Sequence, residues 1–248
     1  MGPREYVELF HLLFLRMLAA GSDRTHYCVK GGCNLRFWFR SVRYSEDLDL
    51  DVTVTSRATL KNKVDRLLAP GPLAGLLRAQ GIAIVSTSAP KQTDTTQRWK
   101  VTLSAADAAT MHTKIEFSRR GLSGAHAYEP VDAGVARRYR IPSPMASHYL
   151  APAALAQKIG ALAHRAETQA RDVFDVHLLL AAAGAPKLDA AARKDLGAAV
   201  ERAMGVSYDE FVGQVVAFLE PEHRELYASR GAWDQMQSEV VRGLEALA

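Results

Sequence analysis

The sequence predicts an α+β fold: an N-terminal half with a mixed sheet, residues 1–144, then a C-terminal α-helical bundle, residues 145–248. Three observations predict it. Residues 47–54, DLDLDVTV, alternate polar and apolar side chains and end in β-branched residues, as a half-buried strand does. Three later runs, IAIVSTS, RWKVTLS and HTKIEFS, also have strand character. After the Pro-Ser-Pro at 142–144 the chain is rich in alanine and leucine, and only Gly and Pro at segment ends interrupt its helical pattern.

Residues 4–20 read as an amphipathic helix, because Phe10, Leu13, Phe14, Met17 and Leu18 recur at helical spacing. Glu5 and Glu8 before that run, and His11 and Arg16 within it, argue against a signal peptide. A short strand at 26–30 leads into Gly31-Gly32, and 33–40 reads as a helix with Arg36 and Arg40 on one side. The acidic strand 47–54 follows, then helices over 56–69 and 72–80. The three strand runs cover 82–88, 98–104 and 112–118, with the polar stretch APKQTDTTQ as a hairpin loop between the first two. Residues 121–147 read as a loop carrying a basic cluster at Arg137, Arg138 and Arg140. Helices are then expected over 151–166, 169–183, 189–204, 208–219 and 232–247.

A chain of 248 residues with 48% hydrophobic and 23% charged residues can bury a sizeable core. Its two cysteines, Cys28 and Cys33, form no disulfide framework, and the eight histidines have no zinc-ligand spacing. We read the thiols as reduced and the protein as cytoplasmic, with no membrane partner, since no apolar run reaches spanning length. Charge is uneven. Residues 1–124 hold 18 Lys and Arg against 11 Asp and Glu, and residues 125–248 hold 13 against 16. A basic N-terminal half suits a polyanionic partner.

In the acidic strand, Asp47, Asp49 and Asp51 share one face, and Leu48, Leu50 and Val52 take the other. Like charges so placed repel, and a divalent ion between them is one remedy; Mg²⁺ prefers such oxygen ligands. A bare D-x-D would read instead as a solvated edge strand beside Arg36, Arg40 or Arg43. The surroundings favour the metal. Gly31 and Gly32 precede a helix, and backbone N–H groups there can approach phosphate oxygens. Ser45, two residues before Asp47, is a further phosphate donor. Glu116 alternates out of an otherwise apolar strand beside Lys114, either as a third metal ligand, as a base for an attacking hydroxyl, or as the partner of Lys114 or an arginine.

Further on, Lys158 and Arg165 lie seven residues apart on one helical face, and Arg171 and Asp175 are spaced (i, i+4) with Asp172 in the same turn. This set reads either as an ion-pair network joining two helices or as part of the site. Trp38, Trp99 and Trp233 read as core or interface residues.

VKGGCNLRFWF, RYSEDLDLDV, KIEFS and LAQKIGALAHRAETQARDVFDVHLLL, in this order, resemble the AbiEii/AbiGii family of nucleotidyltransferase toxins, which includes the mycobacterial MenT toxins, within the polymerase-β-like nucleotidyltransferase superfamily. The resemblance runs from Lys30 to about Leu180. Cys33 departs from the family's usual small hydroxyl residue, and the aromatic FWF at 37–39 is bulkier than its leucines.

The resemblance implies a polymerase-β-like N-terminal domain, with a helical domain completing the nucleotide site. It implies Mg²⁺, with Mn²⁺ as an alternative, on Asp47, Asp49 and Glu116. It implies an NTP held by Lys30, Gly31, Gly32, Ser45, Lys158 and Arg165, and catalytic roles for Asp47, Asp49, Glu116, Lys158 and Asp172. NMP would pass to an RNA acceptor, the tRNA 3′ end, with release of pyrophosphate and a block on translation, and a cognate antitoxin would control the toxin. Two other expectations stay open: transfer to a protein or small molecule, and a non-catalytic nucleotide- or RNA-binding module.

Overall fold

The computed structural model describes residues 1–20, 24–106, 108–184 and 186–248. The chain forms two compact units. The first comprises Met1–Arg40 and Tyr44–Tyr149, and the second comprises Ser41–Arg43 and Leu150–Ala248. The sequence division at 144 falls just before a strand that hydrogen-bonds into the first unit.

The first unit begins with α1 (Pro3–Ala20), β1 (Tyr27–Lys30), α2 (Gly31–Trp38), β2 (Leu48–Val52), α3 (Arg57–Leu68) and α4 (Pro72–Ala79). It continues with β3 (Ile82–Gln92), β4 (Thr96–Ala105), β5 (Ala108–Ser118), β6 (His126–Pro130), α5 (Ala133–Arg138) and β7 (Met145–Tyr149). The strands form one mixed sheet in the order β3-β4-β5-β2-β1-β7-β6. β1 runs antiparallel to β2 and parallel to β7, and β2 runs parallel to β5.

Four expectations about this unit need correction. Residues 6–15 of α1 are all buried, so α1 is a central helix rather than a surface amphipathic one. Its polar residues are partnered: Glu8 Oε2 accepts from Arg36 Nε at 2.5 Å and Glu8 Oε1 from the Tyr139 hydroxyl at 2.7 Å. Arg36 and Arg40 are not two residues of one helix face. α2 starts at Gly31 and ends at Trp38, and Arg40, at φ 54°, lies beyond it and pairs with Asp132 at 2.8 Å. The APKQTDTTQ stretch is mostly strand, since β3 extends to Gln92 and β4 starts at Thr96. Its polar residues are accommodated in two ways: Lys91 is exposed, while Gln97 is buried with its Nε2 donating to the Arg57 carbonyl at 3.0 Å and to Gln92 Oε1 at 2.7 Å. The loop expected over 121–147 contains β6, α5 and β7. Asp132 caps α5 by accepting from Gly134 and Val135 N–H, and β6 and β7 are short strands whose burial does not alternate.

The second unit holds α6 (Ala151–His164), α7 (Ala170–Ala183), α8 (Ala190–Met204), α9 (Tyr208–Gln214), α10 (Arg224–Tyr227) and α11 (Arg230–Glu245). Two single 3-10 turns, Val216–Phe218 and Pro221–His223, follow α9, so the helix expected over 208–219 stops early. α6 packs on α7 and α8, and α11 closes on both. Where α11 meets α7, a Cβ on Gly243 would lie 2.6 Å from Leu180 Cδ1, so the backbones approach closely. Trp233 stacks on Phe211 at 4.5 Å within this core, and Trp99 is buried in the first. Trp38 stacks on His148 at 4.3 Å. No helix among the described residues is long and apolar enough to cross a membrane.

Candidate active site

β2 is built as its alternation predicts. Leu48, Leu50 and Val52 are all but fully buried. The acidic residues take the other face but have different surroundings. Asp51 is itself buried: Lys30 Nζ lies 2.6 Å from its Oδ1, and the Tyr149 hydroxyl donates to its Oδ2 at 2.7 Å. Burial and the Asp51 charge both push the Tyr149 pKa up, so the phenol stays protonated as that donor. Asp51 is thus a structural anion, and in this structure Lys30 serves it.

Asp49 is central to the sheet. It pairs in register with Lys30 on β1 and with Glu116 on β5. Lys91, Arg98, Glu116, Asp49 and Lys30 therefore form one row across five strands. Gly31 stands over Asp49: it opens α2 at φ 65°, and a Cβ there would come within 3.0 Å of Asp49 Oδ2. A glycine is required on both counts. The preceding Lys30 places no side-chain cap on α2, which leaves the helix's first N–H groups for another acceptor.

Asp47 precedes β2. Its Oδ1 accepts from Lys114 N–H at 3.0 Å, and its Oδ2 lies 2.7 Å from Lys114 Nζ. Its backbone is also fixed. The Asp47 carbonyl accepts from the Ser45 hydroxyl at 2.9 Å and from the Cys33 thiol at 3.2 Å. Ser45, expected as a phosphate donor, here holds the chain that carries Asp47. Cys33 does the same at its departure from the family pattern; burial raises its pKa well above the ordinary thiol value and keeps it neutral. His11 and Thr113 add to the frame. The Thr113 hydroxyl donates to the Glu46 carbonyl at 2.7 Å, and His11 Nε2 lies 2.7 Å from Thr113 Oγ1. Sequence reasoning missed this role of His11, whose only signal was a polar residue inside an apolar run.

Glu116 accepts from Arg98 Nε at 2.5 Å. Lys114, the other neighbour considered for it, serves Asp47. With these cations in place, the oxygens of Asp47, Asp49 and Glu116 do not converge. Among the described residues, the one trio with ligand atoms within 4.8 Å of one another is Glu220, Glu222 and His223. The donor set on β2 and β5 nevertheless fits a hard divalent ion. It is all oxygen, lies on one sheet face, and includes two carboxylates in direct register.

In the second unit, Lys158 is buried between two carboxylates, 2.9 Å from Asp172 Oδ1 and 2.6 Å from Asp175 Oδ2. Burial alone would lower the Lys158 pKa, but Asp175 and Asp172 outweigh it and hold it above the ordinary value. Arg165 ends α6 with its Nε 2.8 Å from Asp172 Oδ2, off the line of a hydrogen bond, so that oxygen has no hydrogen-bond donor. Asp175 was expected to pair with Arg171, one helical turn back. Instead Arg43 binds both of its oxygens, at 3.1 and 3.2 Å. Arg43 joins this unit through a backbone bridge to Leu219. It is 132 residues from Asp175 in the chain, so no local spacing pointed to it.

Carboxylates in register beneath a glycine-opened helix combine oxygen ligands with backbone N–H groups, a combination that phosphoryl transfer can use. The chain belongs to the AbiEii nucleotidyl transferase toxin family of type IV toxin–antitoxin systems, whose model matches residues 13–247. It is a nucleotidyltransferase. Its fold is similar to that of JHP933 from Helicobacter pylori, at 17% identity and TM-score 0.63, covering 97% of this chain and 90% of that one. It is also similar to MenT4, a nucleotidyltransferase toxin from Mycobacterium tuberculosis, at 16% identity and TM-score 0.60, covering 98% and 92%. No curated protein matches the chain.

Proposed function

We propose that the protein transfers NMP from an NTP to an RNA acceptor, the 3′ end of tRNA, releasing pyrophosphate and blocking translation until an antitoxin restrains it. The observation that carries this reading is the register pair Asp49–Glu116 beneath Gly31, in a chain of this family. Asp47 and Asp49 would hold Mg²⁺, with Glu116 as a third ligand. Such an ion neutralises charge on the transferring phosphate.

The chain's own groups do the positioning. The first N–H groups of α2, at Gly31 and Gly32, would receive phosphate oxygens, since Lys30 places no side-chain cap there. Ser45, Cys33 and Thr113 fix the backbone on which Asp47 sits. Alternatively Glu116, which Arg98 holds in this structure, would be the carboxylate that accepts the acceptor hydroxyl's proton. Lys158 and Arg165 are the cations we assign to the triphosphate, with Asp172 orienting Lys158. Lys30 is assigned to the same phosphates. The basic N-terminal half supports an RNA acceptor.

The test is transfer of label from each α-³²P-NTP to total tRNA, with Mg²⁺ or with EDTA, for wild type and Asp49→Ala. Label on tRNA with wild type and Mg²⁺ alone is expected. Label on protein, or on no acceptor, would overturn the RNA reading.

A further inference from the structure

The charged row through Asp49 continues past Glu116 into a part of the sheet that the chemistry above does not use. Arg98 and Lys91 follow Glu116 in register on β4 and β3. Beside this row runs a second: Lys114 on β5 faces Lys100 on β4, which faces Ser88 on β3. Across β3, β4 and β5 the charged residues are Lys91, Arg98, Lys100 and Lys114 against Glu116 alone. Lys91, Lys100 and Ser88 are exposed. On β4 and β5 the opposite face packs inward, with Trp99, Val101 and Ile115 buried beside the polar Gln97 and Thr113.

Strands lie about 4.8 Å apart and same-face residues about 6.8 Å apart along a strand. The four cations therefore form a ladder that starts beside Asp47 and Asp49 and leads outward to the sheet edge. Arg98 and Lys114 already sit on carboxylates, at 2.5 and 2.7 Å. Lys91 and Lys100 have no carboxylate of β3, β4 or β5 opposite them.

We propose that this face of β3–β4–β5 is the docking track for the acceptor, a single nucleic-acid strand whose phosphodiester backbone lies on Lys100 and Lys91 with its terminal hydroxyl toward Asp49 and Glu116. The proposal rests on the reading that the acceptor is RNA. Charge complementarity selects this occupant. The track presents cations and hydroxyls, which position phosphates, and Trp99, Val101 and Ile115 are buried away from it, so β4 and β5 offer no apolar anchor pocket of the kind a protein partner uses. Its inner end also meets the carboxylates where the attacking hydroxyl must arrive.

The test uses the full chain with Lys91→Glu, Lys100→Glu and both together. The probe is a fluorescein-labelled single-stranded RNA 12-mer with a free 3′ hydroxyl, read by anisotropy across a salt series. Binding of a ribose-labelled NTP is measured in parallel. The double variant is expected to weaken RNA binding about tenfold or more and to flatten the log–log salt slope by roughly 1.4, about 0.7 for each lost phosphate contact. NTP affinity and melting temperature should not change. Unaltered RNA affinity and slope, with NTP binding intact, would overturn the track and leave the transferase reading standing. Equal displacement of the RNA by polyglutamate would overturn it in favour of an acidic protein partner. Failure of the wild type to bind RNA at any salt, with NTP bound normally, would remove the RNA reading and the track with it.

Discussion

Gly31 is set so close to Asp49 that the smallest side chain would touch the carboxylate, at 3.0 Å from Oδ2. Gly31→Ala therefore carries two penalties. The backbone at φ 65° strains an L-residue by about 1–2 kcal/mol, and the methyl displaces the carboxylate. The expected result is a melting temperature lower by about 3–6 °C and nucleotidyl transfer reduced about tenfold or more. Gly81→Ala is the control, because Gly81 has φ 74° with nothing within 4 Å of its Cβ. It should melt earlier and keep its activity. Equal activity loss in both variants would show that the approach to Asp49 is irrelevant.

The buried cluster of the second unit should give a pH signature. Burial raises the Asp175 pKa, but Arg43 and Lys158 outweigh it and hold it below the ordinary carboxylate value. A lowered carboxylate stabilises the fold above about pH 3.9, and the contribution is lost as pH falls through the folded value. Lys158 is raised, so its contribution is present below about pH 10.4 and is lost as pH rises through its folded value. Asp175→Asn leaves Arg43 and Lys158 under-compensated and should cost about 3–5 kcal/mol. Urea unfolding across pH 3–7 should show a weaker acid dependence in this variant than in wild type. Parallel curves would exclude Asp175 as the source.

His11 takes up its proton at far lower pH than an exposed histidine. Because Thr113 donates its proton to the Glu46 carbonyl, it must accept from His11 Nε2–H. Full burial then pushes the His11 pKa down to about 3. The unfolded histidine binds its proton near pH 6.5, so stability is complete above that pH and falls with pH until about 3. At 1.36 kcal/mol per pH unit, wild type should lose about 3 kcal/mol by pH 4 through this group. His11→Gln, which keeps a donor for Thr113, should lack that part of the slope. The check is denaturant midpoint against pH, and an unchanged slope would assign the acid sensitivity elsewhere.

Elements carried by strong local patterns were legible in the sequence. The alternation at 47–54 predicted both the strand and its buried face, though the strand is only Leu48–Val52. The alanine-rich stretches after 150 predicted α6, α7, α8 and α11 closely, because long helices repeat their signal every turn. β6 and β7 escaped because HAYEP and MASHY show no in–out alternation such as β2 has, and α5 is a single short helix of six residues. α1 was recognised as a helix but not as a central one, since a polar residue reads as solvent-facing until its buried partner is known.

Of the candidate site, the residue types were readable and their partners were not. By itself the sequence determined that carboxylates would share a sheet face, that glycines would precede a helix beside them, and that an α+β chain resembling this family would carry them. The first two follow from spacing along one chain segment, and the last from the resemblance of four separated motifs to the family. Only the tertiary structure decided that Asp49 faces Glu116, that Asp51 belongs to Lys30 and Tyr149, that Lys114 serves Asp47, and that Arg43 rather than Arg171 answers Asp175. Strand register and the meeting of distant segments set those pairings. The energies of ion pairs and hydrogen bonds act across space, so they leave no periodic trace in the order of the residues.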